Sequence, residues 1–297
     1  MRAAFVAAAF CVLIAGCERK TQEQPINTSI AVTDDAGQTV RLAQPATRVV
    51  SLLPTVTDLI IAMHQEHRLI ARTDYDKDPA VAALPSIGGG LTPSVEWLAD
   101  KKPDLVISWP DRGSRSLVTQ MQGIGIPVFG VASDTIANTY AATERLGILL
   151  GAKPAADSLV NSIRSQLDSV HNGVGNQRRV RVAYVVSVTP TTVVGPHTFI
   201  DELITIAGGE NIFADFEKQY AEASLEELIR RDPDVIIIAR EEAFDARQEL
   251  SRTPGWRDLR AVRNGHVYRV DANAFNRSGP GMPNAARTLA QYFAAAR

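Results

Sequence analysis

Apolar residues along this chain gather in short runs, and the segments between the runs carry helical spacing. R-V-V-S-L-L (48–53), D-L-V-I-S (104–108), P-V-F-G-V (127–131), R-V-A-Y-V-V-S-V (181–188), D-V-I-I-I (234–238) and H-V-Y-R-V (266–270) read as strands, with a shorter one near 68–71. Helices are predicted from Thr55 to about Met63, near 114–122, near 134–150, from about Thr198 to Ala207 and over 283–296. Strands alternating with helices imply a parallel or mostly parallel sheet covered on both faces. Residues 29–42 alternate around D-D-A-G, the pattern of a β-hairpin. Leu159, Val160, Ile163, Leu167 and Val170 mark a helix over 154–171 that has no strand of its own and ends at N-G-V-G-N. It lies midway along the chain. The expected fold is therefore α/β, with two similar lobes (29–152 and 178–297) joined by one long helix (153–177), a link that resists hinge bending.

A segment written twice strengthens this reading. S-V-E-W-L-A-D-K-K-P-D-L-V-I-S begins at Ser94, and S-L-E-E-L-I-R-R-D-P-D-V-I-I-I begins at Ser224. Ser94/Ser224, Glu96/Glu226, Pro103/Pro233 and Asp104/Asp234 fall at identical offsets. Each copy predicts a helix, a proline stop and a buried strand. The macrodipole favours acids in a first helical turn, and Ser224-x-x-Glu227 has the form of a capping box. Capping does not require the same position in both halves, so the matched glutamates suggest lobes presented to something symmetric.

The N-terminus reads as a targeting segment. Arg2 precedes an apolar stretch over 3–15, too short to span a bilayer, and L-I-A-G-C leads to Cys17. This has the form of a bacterial lipoprotein signal over 1–16; an ordinary secretory signal with an incidental cysteine is the alternative. Removal of 1–16 takes Cys11 with it, which leaves Cys17 for diacylation rather than for a disulfide. Residues 17–28 are polar and read as a flexible tether. A formal net charge of −2 with mixed signs excludes the basic face that nucleic acid demands. The remaining body carries no second long apolar stretch and is expected to be a soluble monomer outside the cytoplasm, membrane-attached only through Cys17.

Ligands in open α/β sheets bind beyond the carboxyl ends of the strands. The loops there supply Thr55, Tyr75, Trp109, Arg112, residues 191–197, Tyr220, Arg240 and residues 275–278. They are rich in aromatic side chains and arginine, and they hold no nucleophile–base pair and no G-x-S-x-G elbow. His64, His67 and His197 fall short of a zinc ligand set. The G-G-G at 88–90 lacks the lysine of a phosphate loop. An exported hydrolase on the same scaffold, or a tethered scaffold protein without a pocket, are the readings from other classes.

The order of lipoprotein signal, V-T-D-D-A-G-Q-T-V-R-L, R-V-V-S-L-L-P-T-V-T-D-L-I, the two E…PD copies, G-G-E-N-I-F and a central helix resembles the periplasmic-binding proteins that deliver cobalamin, haem or ferric siderophores to ABC importers. The resemblance runs from about residue 30 onward. It implies the class III periplasmic-binding fold, no enzymatic activity and no cofactor other than the carried ligand. It also implies that Glu96 and Glu226 meet arginines on the importer's permease dimer. T-D-Y-D-K-D-P, I-S-W and F-N-R-S-G-P look most like the cobalamin binder, which marks Trp109, Tyr220, Phe275 and Arg277 as ligand-contacting positions; Tyr75 and Arg112 join them as candidates from the strand-end loops. The pattern departs at Gly90 and Thr192, where aromatic residues are expected.

Overall fold

The structure is a computed structural model that describes residues 30–110, 114–240 and 245–297. Cys17 and Arg112 lie outside the described residues.

The first half opens with an antiparallel hairpin, β1 (Ile30–Thr33) and β2 (Thr39–Leu42). Its turn closes because the Asp34 carboxylate accepts from Ala36 N and Gln38 N while Gly37 takes φ +78°. The other Asp34 oxygen accepts from Gly130 N at 2.9 Å and fastens the hairpin to the sheet. That sheet is parallel and three-stranded, with β3 (Val49–Ser51), β4 (Leu105–Ser108) and β5 (Val128–Gly130) in that order. All ten of these strand residues are buried, as continuous apolar strands between two helical layers must be. The helices are α1 (Pro54–Ala62), α2 (Val95–Lys101), α3 (Ser114–Gly123) and α4 (Ile136–Leu149). The run near 68–71 forms only a single bridge, Leu69 to Val49, rather than a strand.

Helix α5 (Lys153–Val174) passes from one half to the other. Ala156 packs into the first core, and Ile163 and Leu167 pack into the second, so one apolar stripe serves both cores. The helix continues through Asn172 and Gly173 and stops at Gly175, later than its glycines suggest.

The second half carries a six-stranded sheet: β6 (Val180–Val188), β7 (Thr191–Val194), β8 (Gly209–Asn211), β9 (Tyr220–Glu222), β10 (Val235–Ala239) and β11 (Val267–Val270). Its order is β11-β10-β6-β7-β9, and β8 pairs with the first residues of β6. Only β7 runs against the rest, so the sheet is mostly parallel. The helices here are α6 (Phe199–Ile206), α7 (Leu225–Arg231), α8 (Ala246–Arg252), α9 (Arg260–Arg263), α10 (Ala272–Phe275) and α11 (Met282–Ala295). Among the described residues no helix is long and apolar enough to cross a membrane.

The two copies of the repeated segment fold alike down to side-chain roles. Ser94 and Ser224 cap α2 and α7 by accepting from the backbone N–H three residues on. Lys102 and Asp232 end those helices in the left-handed region, at φ 47° and 41°. Asp104 then accepts from Arg48 N, and Asp234 from Arg181 N, at the start of the neighbouring strand. The arginines close the unit: Arg48 donates to Lys101 O, and Arg181 donates to Arg231 O, each at 2.6 Å. Aspartate and arginine thus lock helix end to strand start in both halves. The Ser224 capping box is only half built, because the Glu227 carboxylate turns to Arg230 and Arg231 instead of Ser224 N.

Candidate functional site

The carboxyl ends of β4 and β5 face the α6 and β9 end of the second half across a crevice. Two bonds donated by backbone N–H groups join the halves here. Phe199 N donates to Asp134 O at 2.6 Å, and Ile136 N donates to the Glu202 carboxylate at 2.7 Å. Glu202 therefore caps the first turn of α4 from the opposite half.

The crevice holds a cavity of about 480 Å³. Thr55, Trp109 and Pro110 line it from one side, and Phe199, Tyr220 and Asn276 from the other. Trp109 is half-buried against the first core, whereas Tyr220 is 40% exposed. Asn276 is held in place by Tyr184, a fully buried tyrosine whose phenol donates to Asn276 Oδ1 at 2.8 Å. Burial raises the Tyr184 phenol well above its ordinary value, so it remains a protonated donor. Ser133, Asp134 and Gln219 complete the polar lining. Sequence reasoning did not single out these last three; the rule that gathered the other strand-end loops covers Ser133 and Asp134 in the loop after β5, but not Gln219, which precedes β9.

Phe275 and Arg277 lie next door. They line a second cavity of about 300 Å³, and Ser278 is in the lining of both. Arg277, 15% exposed, reaches across to the first half, where it donates to Tyr75 O and approaches Asp58 at 3.4 Å; it also donates to Asn273 Oδ1 at 2.9 Å. Tyr75 is half exposed and lines neither cavity. The structure thus brings Trp109 and Tyr220 into one cavity, puts Phe275 and Arg277 in its neighbour, and leaves Tyr75 outside both linings.

The two departures from the expected pattern have local reasons. A Cβ at Gly90, already at φ +84°, would come within 2.4 Å of Leu52 O, so no side chain fits there. The Tyr75 ring lies 3.5 Å from where a Cβ of Gly89 would stand, which puts an aromatic beside that gap. Thr192 faces a separate hollow that also touches Tyr220.

Burial pushes the Asp58 carboxyl from its ordinary 3.8 up to about 6, against the pull of the Arg277 charge. The folded chain therefore binds this proton more tightly than the unfolded chain. The resulting contribution to stability is full below about pH 3.8 and is lost as pH rises to about 6. Asp58→Asn is expected to remove that slope from a plot of Tm against pH between 4 and 6; wild-type and variant profiles that run parallel would contradict it. Among the described residues no cluster of histidine, cysteine and carboxylate side chains could hold a metal ion.

Comparison with known proteins places the chain. A vitamin B12-binding protein of Vibrio parahaemolyticus is 26% identical over 257 residues, which covers 84% of this chain and 90% of the relative. An ABC transporter substrate-binding lipoprotein of Bacillus subtilis is 26% identical over 294 residues, covering 94% and 92%. The solved structure of a periplasmic haem-binding protein from Roseiflexus superposes with a TM-score of 0.76 at 22% identity, over 84% of this chain and 99% of that one, a likeness of fold. The sequence profile of the family described as periplasmic binding protein matches residues 49–274. By that match the chain belongs to the periplasmic binding protein family, and it is a binding protein rather than an enzyme.

Proposed function

We propose that this substrate-binding protein of an ABC import system captures cobalamin or a related corrinoid between its lobes and hands it to the importer. The observation that carries this reading is the crevice whose two sides present Trp109 and Tyr220 to a single cavity. Flat aromatic surface on opposing walls suits a flat macrocycle. The polar lining, Thr55, Ser133, Gln219 and Asn276, suits a ligand edged with neutral hydrogen-bonding groups. Among the described lining residues the charged side chain is Asp134, an acid. A ligand with two carboxylates, such as haem, would meet repulsion there, which favours the corrinoid.

Delivery requires a membrane address and a docking face. Diacylated Cys17, followed by the polar tether of residues 17–28, supplies the first. Glu96 and Glu226 supply the second, on matched first turns of α2 and α7, by meeting arginines of the two permease subunits. Both are exposed, and neither forms an ion pair among the described residues. Glu227, the neighbour, is by contrast engaged by two arginines.

Titration of the unlipidated protein with cyanocobalamin, haem and ferric siderophores, read by absorbance and tryptophan fluorescence, tests the ligand. Cyanocobalamin is expected to bind best, and Trp109→Ala to weaken it about tenfold or more through lost ring contact. Preference for haem would reject the corrinoid reading, and unchanged affinity in Trp109→Ala would remove that residue from the site.

A further inference from the structure

Two side-chain amides, Asn276 and Gln219, line the crevice from the second half, and their partners turn them in opposite senses. Asn276 follows the four-residue helix α10, where its backbone N–H donates to Ala272 O at 2.9 Å, and the residue is exposed. Beneath it stands Tyr184, fully buried on the central strand β6. A buried phenol needs an acceptor, and among the described residues the Tyr184 phenol meets one, Asn276 Oδ1. Turning the amide over would set N–H₂ against the phenol and strand the buried phenol proton, which is costly. The Asn276 carbonyl is therefore held inward. Its Nδ2 makes no hydrogen bond among the described residues, so a donor is what Asn276 has left to offer.

Gln219 is held the other way round. Its Nε2 donates to His197 O at 2.8 Å, and its own backbone C=O accepts from Gly195 N at 2.8 Å. A backbone carbonyl only accepts, so this amide cannot turn over, and Oε1 is the end left unengaged. The wall thus presents a donor at Asn276 and an acceptor oxygen at Gln219. A rim with neutral carbonyl and N–H or O–H groups satisfies both. A carboxylate satisfies Asn276 alone and opposes the Gln219 oxygen and Asp134.

We propose that Tyr184, sealed beneath the wall, is a positioning residue for recognition: it fixes the Asn276 amide so that this wall reads a carbonyl oxygen on the rim of the ligand. A fixed amide gives up less freedom on binding than one that turns at will. The proposal rests on the crevice being the ligand cleft, and it holds for whichever candidate ligand occupies that cleft.

Unlipidated wild type, Tyr184→Phe, Asn276→Ala and the double variant are titrated with cyanocobalamin, haem and ferrichrome, after thermal unfolding has shown each to be folded. The cycle is read on the ligand that wild type binds most tightly. Asn276→Ala is expected to weaken binding about tenfold and Tyr184→Phe about fivefold, with the double variant no weaker than Asn276→Ala alone. A tyrosine that merely supports the fold would lower affinity by one factor in both backgrounds. That result, or unchanged affinity in either single variant, overturns the proposal. Should Tyr184→Phe not fold, Asn276→Asp takes its place. It keeps an oxygen for Tyr184 and turns another outward, so it is expected to bind at least as weakly as Asn276→Ala, and wild-type affinity overturns the proposal. Cyanocobalamin as the tightest ligand upholds the corrinoid reading however the cycle falls. Haem or ferrichrome in that place rejects the corrinoid reading and leaves the cycle to judge the amide. Binding of none of the three would overturn both.

Discussion

Replacing Glu96 and Glu226 together by alanine is expected to abolish ligand uptake by cells while leaving the affinity of the purified protein unchanged within about twofold. Neither glutamate lines the crevice or the smaller cavity, so ligand contacts survive the change. Both occupy the third position of a matched segment whose helix is capped by serine and closed by a left-handed residue. The capping bonds do not need the glutamate side chains, since Ser94 and Ser224 accept them from Trp97 N and Glu227 N. Glu226 is drawn below the usual carboxylate range by its own backbone N–H and the Ser224 hydroxyl, so it is ionised at working pH. Loss of one charge partner across an interface of complementary potential costs about tenfold or more per site. Each single variant should therefore retain measurable uptake that the double variant lacks. Normal uptake by the double variant, with protein levels matched, would end the docking proposal.

Asp234→Ala is expected to destabilise the fold by about 3 kcal/mol, and Asp104→Ala by about 2 kcal/mol. Asp234 is 5% exposed and binds three partners, Arg181 N at 3.0 Å, Arg178 at 3.3 Å and Arg260 at 3.1 Å. Its removal leaves a backbone N–H and two guanidinium groups short of an acceptor. Asp104 has the same backbone duty but pairs with Thr47 in place of an arginine, which makes its loss milder. Urea unfolding of the two variants measures the difference, and a loss under about 0.5 kcal/mol for Asp234→Ala would show that the helix–strand lock is not what holds this unit.

How far the sequence could be read follows from the same units. The duplicated serine, proline and aspartate expose a helix, a stop and a strand because each residue type has a local backbone preference. The arginines that complete the unit, Arg48 and Arg181, stand more than fifty residues before their aspartates, so no local pattern reveals them. Strands β7 and β9 escape notice for a related reason. They are four and three residues long, they carry no clear alternation, and they exist by pairing with β6 and each other.

The site divides in the same way. The strand-end rule locates Thr55, Trp109 and the 275–278 loop, and it reaches Ser133 and Asp134 once applied to β5, whereas Tyr220, expected in such a loop, is the first residue of β9 and pairs with Val194. It does not say which loops share a cavity. Arg277 shows why: its partners, Asp58 and Tyr75 O, belong to the other half and become neighbours only through folding. The orphaned hydroxyl of Ser278 is likewise a property of packing, invisible in F-N-R-S-G-P.

The crystal structure of the complex with cyanocobalamin tests the central claim most directly. The account predicts a corrin ring in the crevice, in contact with Trp109 from one lobe and Tyr220 from the other. A corrinoid bound outside the crevice, or a cleft that stays empty in the presence of saturating ligand, would contradict it.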